Sequence, residues 1–295
     1  FKVVALFSAA LTVLMSASYL RVEGTRSGED YFLILCATLG MMFMASGVDL
    51  ITQVIGLETM AVSFYVLVGY LKPNPRSNEA AVKYFVLGAF SFGVLLYGMS
   101  FLYAATGSTR LAVIASALAG QEPTLMLVLA VVLVGAGMGF KIAAVPFHMW
   151  APDVYQASPT PVSACVASGS KIASIALLIV LLEPVAGMPS IVLLLALMAV
   201  AGMAVGNLGA LRQTNLKRLL AYSAIANAGY ILIAVLAFNF VGDGKMQQQQ
   251  TSCCCCCCCC CCYGKMLMLC LGGTVTTREF PRKRFAPVLA GRLSI

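Results

Sequence analysis

The stretch "GFKIAAVPFHMWAPDVYQASPTPVSA", residues 139–164, places a lysine, a histidine, an aspartate and four prolines between two almost entirely apolar segments. Each flanking segment is about 20 residues long, the length that an α-helix needs to cross a hydrocarbon core about 30 Å thick. Charges and unpaired backbone groups are costly in lipid, so such residues need a compensating structure. The stretch therefore predicts a membrane helix that is interrupted.

The composition of the whole chain is that of a membrane protein. Of 295 residues, 61% are hydrophobic and 10% are charged, whereas soluble domains carry about 25% charged residues. The apolar runs lie near 3–20, 31–48, 50–71, 84–105, 124–147, 161–182, 189–211 and 219–241. They lack the alternation of a membrane β-barrel, so the predicted fold is an all-α polytopic transmembrane bundle of about eight spans with at least one broken helix. A shorter apolar patch at 111–119 is predicted to lie in a loop.

The distribution of lysine and arginine predicts the orientation in the membrane. If alternate loops share a side, one side holds Arg21, Arg26, Lys72, Arg76, Lys83, Arg212, Lys217 and Arg218. Arg110 lies nearly alone on the other side. The basic side is predicted to face the cytoplasm or, in an organelle, the matrix. Topology explains the net charge of +8, and no basic patch predicts nucleic-acid binding.

Three charged residues, Glu58, Lys141 and Lys171, lie inside the predicted spans. An ion at the centre of a membrane helix costs about 2.5 to 3.5 kcal/mol, so each of them needs compensation. Glu58 lies about 12 Å into its run, at 1.5 Å per residue. Its helical neighbours are apolar, so any partner must come from another helix. Alternatively, burial keeps its carboxyl neutral, a state that can still carry a proton.

Lys171 lies about ten residues into its run, close to the middle of the membrane. Ser168 and Ser174 are three residues before and after it, which places all three on one helix face. A lysine removed from water can exchange a proton near neutral pH, which favours a proton relay. A lysine that only joins helices is the alternative.

A helix break is predicted close to Lys141. On a straight helix this lysine would lie about 25 Å along its run, near enough to the far interface to reach it. However, Gly135, Gly137 and Gly139 precede it and Pro146 follows, and these residue types weaken or interrupt helices. The break is assigned to Gly139 and Pro146, with the freed backbone facing protein or a water-filled cavity.

His148 is the only histidine of the chain. It comes seven residues after Lys141 and shares a face with it if the helix continues between them. Histidine passes protons near neutral pH, although a lone histidine at an interface is often only a hydrogen-bonded structural residue. No metal site is predicted, because neither a second histidine nor spaced cysteines accompany it.

Several long stretches resemble one family. They are "GLETMAVSFYVLVGY" (56–70), "RSNEAAVKYFVLGAFSFGVLLYG" (76–98), "GFKIAAVPFHMWAPDVYQASPTPVSACVASGSKIA" (139–173) and "NLKRLLAYSAIANAGY" (215–230). Together they resemble subunit N of the proton-pumping NADH-quinone oxidoreductase, respiratory complex I, over about residues 1–240. Within "APDVYQ", Tyr155 and Gln156 favour subunit N over its paralogues and over subunits of stand-alone cation/proton antiporters.

The resemblance implies a proton relay. Glu58 and Lys83 would be acidic and basic partners on adjacent helices, Lys141 the lysine of the broken helix, Lys171 that of the next helix, and His148 an assisting group. Charge changes elsewhere in the complex would move Glu58 relative to its lysine partner and so drive a proton across the membrane.

The resemblance also implies the setting of the chain. It would be a non-redox subunit of a translocase, with the lipid bilayer and the other membrane subunits of complex I as partners. No cofactor is expected in this subunit, because quinone and NADH would be bound by other subunits. Two further hypotheses stay open: a subunit of a cation/proton antiporter, and a passive membrane scaffold in which the buried charges only hold helices together.

The sequence departs from the family pattern in three places. Asn227 stands where many members have histidine. The chain is expected to begin at the third helix of a family that usually has fourteen, and the match ends near residue 241. Residues 242–295 hold ten consecutive cysteines and the basic tail "REFPRKRFAPVLAGRLSI". They are predicted to form an aberrant, low-complexity, disordered tail beside an antiporter-like membrane domain at 1–241.

Overall fold

The computed structural model describes residues 1–23, 28–118, 124–182 and 189–240. Eleven α-helices occur within these ranges: α1 (Lys2–Val22), α2 (Glu29–Ser46), α3 (Leu50–Val68), α4 (Pro75–Thr106), α5 (Leu111–Leu118), α6 (Leu125–Lys141), α7 (Trp150–Ala157), α8 (Thr160–Cys165), α9 (Lys171–Leu182), α10 (Pro189–Leu211) and α11 (Leu216–Phe240). A π-helical turn, Val166–Ser170, joins α8 to α9. The predicted tail at 242–295 and Arg26 lie outside the described residues, and the all-α class is confirmed.

Seven helices in the described part of the chain are long and apolar enough to cross a membrane. They are α1, α2, α3, α4, the continuous unit Thr160–Leu182, α10 and α11. The eighth predicted span, 124–147, contains α6, which is apolar but shorter and ends at Lys141. Helix resumes only at Trp150. The expectation of about eight spans with one broken helix is therefore confirmed.

The prediction of a loop at 111–119 was wrong, because residues 111–118 form α5. The helix is about 12 Å long, at 1.5 Å per residue, and cannot span a membrane. Ile114 and Leu118 lie four residues apart on one face and are buried, so packing of that face stabilises a helix that would be marginal in isolation.

The ends of the bundle agree with the predicted alternation of loops. At one end, the Leu50 amide donates to the carbonyl of Thr109 and the Leu111 amide donates to that of Val48, at 2.9 and 3.1 Å. This end holds Arg110. At the other end, which we call the basic end, Asp153 of α7 contacts Lys83 of α4 and Arg218 of α11.

The continuous unit Thr160–Leu182, here called the central rod, forms the middle of the bundle. Within its most apolar 18-residue window, 89% of the residues are buried, compared with at most 56% in the other candidate spans. Alanine, glycine and serine dominate its first half, "TPVSACVASGS". Small residues let neighbouring helices approach closely, and α1, α2 and α3 pack against this rod.

Asp49 caps the N-terminus of α3, just outside the span. Its carboxylate accepts hydrogen bonds from the Thr52 amide and the Thr52 hydroxyl, both at 2.8 Å. These bonds, chiefly the one from the amide, hold the pKa of Asp49 below its ordinary value of 3.8, and the positive charge of Arg110 adds a smaller effect. The cap satisfies one of the amide groups that a helix start leaves free.

Replacing Asp49 tests this cap. Asp49→Ala is expected to lower the free energy of unfolding in detergent micelles by about 1 kcal/mol at pH 7. Because the folded-state pKa lies below the unfolded one, the carboxylate contributes fully above the unfolded pKa and loses its contribution as the pH falls through the folded pKa. The difference between wild type and variant should therefore shrink at pH 3, and equal differences at both pH values would contradict the assignment. Asp49→Asn, the matched control, keeps an acceptor and should lose less.

Candidate functional site

Lys141 lies where α6 ends, and two other side chains meet its ammonium. The Nζ atom is 3.7 Å from Glu58 Oε1 on α3 and donates a hydrogen bond to the Tyr65 hydroxyl at 3.4 Å. The Lys141 side chain is 4% exposed and that of Glu58 is 27% exposed. Glu58 Oε1 accepts no hydrogen bond from any residue that the structure describes. Glu58 and Lys141 thus form a close ionic contact without a direct hydrogen bond between them.

An aromatic cluster positions the Tyr65 hydroxyl. The ring of Tyr65 meets that of Tyr84 edge-on, with centroids 4.7 Å apart, and Tyr84 stacks on Trp150 at 4.6 Å. The indole nitrogen of Trp150 donates to the carbonyl of Phe140 at 2.9 Å. The cluster therefore connects α3, α4, the end of α6 and the start of α7 around the ammonium of Lys141.

The first three residues of the helix break pair with carbonyl groups at the end of α6. After Lys141, the amides of Ile142 and Ala143 donate to the carbonyls of Met138 and Phe140, and the Ala144 amide donates to that of Gly139 at 2.8 Å. Carbonyl groups at a helix end otherwise lack partners, which is costly away from water. The end of α6 is therefore stable without a following turn of helix.

The position of the break corrects two details of the prediction. Gly139 lies inside α6, and the interruption covers 142–149, with Pro146 within it. Because the helix does not continue, His148 does not share a helix face with Lys141. His148 Nδ1 is buried and has no hydrogen-bond partner among the described residues. A relay role for His148 remains a prediction.

Lys171 is the first residue of α9 and is buried in the central rod. Its ammonium donates to the carbonyl of Ala224 on α11 at 2.9 Å. Ser168 and Ser174 are both fully buried. The Ser168 hydroxyl donates to the Ala164 carbonyl at 2.7 Å. Lys171 therefore faces protein.

Lys83 does not pair with Glu58, contrary to what the family resemblance implied. Its side chain is 48% exposed, and its ammonium lies 2.7 Å from Glu79 Oε1 and 3.6 Å from Asp153 Oδ2. The reason is the helical turn of about 100° per residue: the next residue, Tyr84, takes the inward face of α4. The cation that contacts Glu58 is therefore Lys141 of α6. A relay role for Lys83 stays a prediction.

Sequence reasoning missed two parts of this arrangement. Tyr65 follows Glu58 by seven residues, two helical turns, so helical spacing could have placed both on one face. At the basic end, Arg218 donates to Asp153 Oδ1 at 2.8 Å and to Gln156 Oε1 at 3.1 Å. No periodicity could have paired residues that lie more than sixty positions apart. In the described ranges, no cluster of three or more His, Cys, Asp or Glu could hold a metal ion.

Comparison with known proteins decides the family. The profile of the family described as "NADH:quinone oxidoreductase/Mrp antiporter, TM" matches residues 46–249. The chain belongs to this family. It is 49% identical over 245 residues to NADH-quinone oxidoreductase subunit N 2 of Solibacter usitatus and 48% identical over 239 residues to subunit N of Trichlorobacter lovleyi. The resemblance to subunit N is thereby confirmed.

The matches cover most of this chain but only part of each relative. The Solibacter alignment covers 82% of this chain and 50% of the relative, and the Trichlorobacter alignment covers 79% and 49%. The chain thus spans about half the length of the curated relatives it matches.

Two solved structures share the fold. One is the respiratory complex I of Thermus thermophilus with bound aureothin, with a TM-score of 0.67, 41% identity, and coverage of 80% of this chain and 50% of that chain. The other is the membrane-bound sulfane sulfur reductase, an archaeal respiratory membrane complex, with a TM-score of 0.72, 27% identity, and coverage of 85% and 54%. The chain is therefore an antiporter-like, multi-pass membrane protein.

Gly88 offers a test of the Tyr65 position. A Cβ atom at Gly88 would overlap the Tyr65 hydroxyl, whereas one at Gly93 on the same helix would meet no atom within 4 Å. Gly88→Ala is expected to lower the free energy of unfolding by about 1 to 3 kcal/mol through overpacking. The matched control Gly93→Ala is expected to be neutral or stabilising, because alanine favours helix by up to about 1 kcal/mol.

A double-mutant cycle isolates the contact. Tyr65→Phe removes the hydroxyl, so Gly88→Ala should destabilise the Tyr65→Phe protein less than it destabilises the wild type. The free energy of unfolding of the four proteins is measured in detergent micelles. Strictly additive losses would contradict the close packing of the Tyr65 hydroxyl against Gly88.

Proposed function

We propose that this chain conducts protons as part of a subunit N-type membrane subunit of an NADH-quinone oxidoreductase. The observation that carries the proposal is the Lys141 ammonium at a helix break, shared between the Glu58 carboxylate and the Tyr65 hydroxyl. Lysine is suited to such a role, because its protonation state responds strongly to its surroundings.

The proposed driving force is electrostatic. Two unit charges about 4 Å apart attract by about 4 kcal/mol at an effective dielectric constant of 20, and doubling their separation removes about half of that energy. A loss of about 2 kcal/mol changes a protonation equilibrium more than tenfold. Small movements of Glu58 relative to Lys141 are therefore sufficient to transfer a proton. No redox chemistry is required within this chain.

In the proposed relay, the proton passes from the Glu58–Lys141 pair to Lys171. α6 packs against α9, so the two lysines belong to neighbouring helices. Lys83 at the basic end and His148 in the break are assigned assisting roles. Asn227, three residues after Ala224 on α11, cannot replace a histidine as a proton carrier at neutral pH, so the relay is proposed to leave Lys171 by another route.

The proposed setting follows the relatives. The chain would act with the other membrane subunits of complex I in a bacterial inner membrane, with a mitochondrial inner membrane as the alternative. Quinone reduction and NADH oxidation would take place in other subunits, and this subunit would hold no cofactor. Its contribution to the enzyme would be translocation alone.

One observation favours the scaffold alternative. Lys171 donates to a main-chain carbonyl at 2.9 Å, which is the bond that a purely structural lysine would form. The scaffold hypothesis predicts that a lysine replacement changes assembly alone. A cation/proton antiporter subunit, the other alternative, would use the same buried ions without an electron-transfer partner.

Lys171→Met in an otherwise complete subunit separates these functions. We expect normal assembly, and a fall of at least fivefold in protons translocated per NADH oxidised, because methionine keeps the volume and removes the titratable group. Inverted membrane vesicles with a pH-sensitive dye measure translocation, and absorbance at 340 nm measures NADH oxidation. The matched control is Lys72→Met, which removes an exposed loop lysine and should leave the ratio unchanged.

The outcomes point in different directions. Unchanged translocation per assembled complex would overturn the relay and leave the scaffold. Proton movement driven by a sodium or potassium gradient in vesicles without NADH would support the antiporter alternative.

A further inference from the structure

A row of buried hydroxyl groups follows one face of α1 and has no part in the relay described above. Ser8, Thr12 and Ser16 are four residues apart, so their side chains lie above one another on the same helix face. All three are buried. Helices of a membrane bundle gain little from hydroxyl groups beyond occasional hydrogen bonds between helices. Serine and threonine are common where membrane helices pack closely, so this row is distinguished by the buried Asp30 at one end of it.

The central rod presents polar groups to the same face. Ser168 Oγ lies 3.4 Å from Ser8 Oγ, and the Cys165 thiol is within hydrogen-bonding reach of the hydroxyls of Thr12 and Ser8. A Cβ atom at Gly169 would lie 2.7 Å from Ser8 Oγ. Glycine at this position therefore allows the Ser8 hydroxyl to approach the rod directly before Lys171.

A buried carboxylate stands at the other end of the row. Asp30, the second residue of α2, is 2% exposed. Its Oδ2 accepts a hydrogen bond from Ser16 Oγ at 2.6 Å. Its Oδ1 is buried and has no partner among the residues that the structure describes. A buried carboxylate oxygen requires a hydrogen-bond donor, and a water molecule or a proton can supply it.

The row runs between the basic end and the relay. α1 ends at Val22, directly after Arg21, which belongs to the predicted basic side, and α2 begins at Glu29. Asp30, the second residue of α2, therefore lies near the basic end. Ser16, Thr12 and Ser8 then lead along α1 toward Ser168. Successive side chains in this row are about 5 to 6 Å apart at Cβ, and the Thr12 hydroxyl donates to the Ser8 carbonyl at 2.8 Å.

We propose that these groups form a proton uptake path, the hydroxyl column, which runs from Asp30 through Ser16, Thr12, Ser8 and Ser168 to Lys171. The proposal rests on the proposed function, since it assigns Lys171 as the acceptor. A hydroxyl both donates and accepts hydrogen bonds. Each hydroxyl can therefore accept a proton from the preceding group and release its own proton to the next group, so that every O–H bond that breaks is replaced by a new one. The proton taken up at Asp30 ends on the neutral amine of Lys171, and no electron is transferred.

Cys165 provides a reporter inside the column. In lipid bilayers that contain the full chain, a change from H₂O to D₂O converts its S–H stretching band to S–D as protons reach the thiol. Infrared spectroscopy follows the band, and subtraction of the Cys165→Ala spectrum assigns it. We expect complete exchange within minutes in the wild type. Exchange should be at least tenfold slower in Asp30→Asn and in Thr12→Val, which interrupt the column.

Matched controls accompany both changes. Glu29→Gln alters the exposed neighbour of Asp30, and Ser18→Ala removes an exposed hydroxyl from α1, and neither should slow the exchange. Thr12→Ser keeps the hydroxyl and should restore the rate, which separates conduction from packing. Far-ultraviolet circular dichroism confirms the helix content of each variant. If Thr12→Val does not fold, Ser16→Ala provides the same interruption.

Two results would overturn the column. One is a Cys165 S–H band that persists for hours in D₂O in the wild type. The other is an exchange rate that is the same in Asp30→Asn, Thr12→Val and wild type. Translocation per NADH in the complete subunit tests delivery to Lys171: Asp30→Asn should lower it at least threefold, and an unchanged ratio would also overturn the proposal. Lys171→Met should leave thiol exchange unchanged, so failure of the relay and failure of the column give different results.

Discussion

A charge held away from water needs partners, and the arrangement around the end of α6 provides them. Lys141 is its last residue, so the ammonium lies at a helix C-terminus, whose carbonyl groups carry partial negative charge. Glu58 and the Tyr65 hydroxyl complete its surroundings. A continuous helix would carry residues 142–149 onward along the same axis. The break, the aromatic cluster and the contact with Glu58 together surround this one cation with partners.

The two buried lysines occupy different electrostatic environments. Lys141 faces a carboxylate, whereas Lys171 donates to the neutral carbonyl of Ala224. The carboxylate of Glu58 offsets part of the charge on Lys141, and one hydrogen bond from Lys171 ends on a main-chain dipole. In the proposed relay, displacement of Glu58 weakens its attraction for the charge on Lys141, which favours transfer of the proton to Lys171.

Much of this arrangement follows from local sequence pattern, and the remainder depends on contacts that no local pattern contains. Hydropathy and the glycine and proline residues placed the spans and the interruption near Lys141. The loop assigned to 111–119 failed because Ile114 and Leu118 gain a tertiary surface to pack on. The partner of Glu58 depended on whether Lys83 or Tyr84 faces inward from α4. These neighbouring residues differ by a rotation of about 100° around the helix axis, which the sequence pattern did not resolve. The contact between Ser8 and Ser168 joins residues 160 positions apart, beyond any helical periodicity.

A purely structural role explains these buried polar groups poorly. Buried ion pairs contribute little net stability, and well-packed apolar residues of similar volume are often as good or better. A bundle selected only for packing would replace Lys141, Glu58 and Asp30 with leucine or methionine. The positions around these residues instead accommodate polar atoms closely: Gly88 leaves space for the hydroxyl of Tyr65 and Gly169 for that of Ser8. These groups are energetically unfavourable, and the fold nevertheless provides space for them, as the proposed proton relay requires.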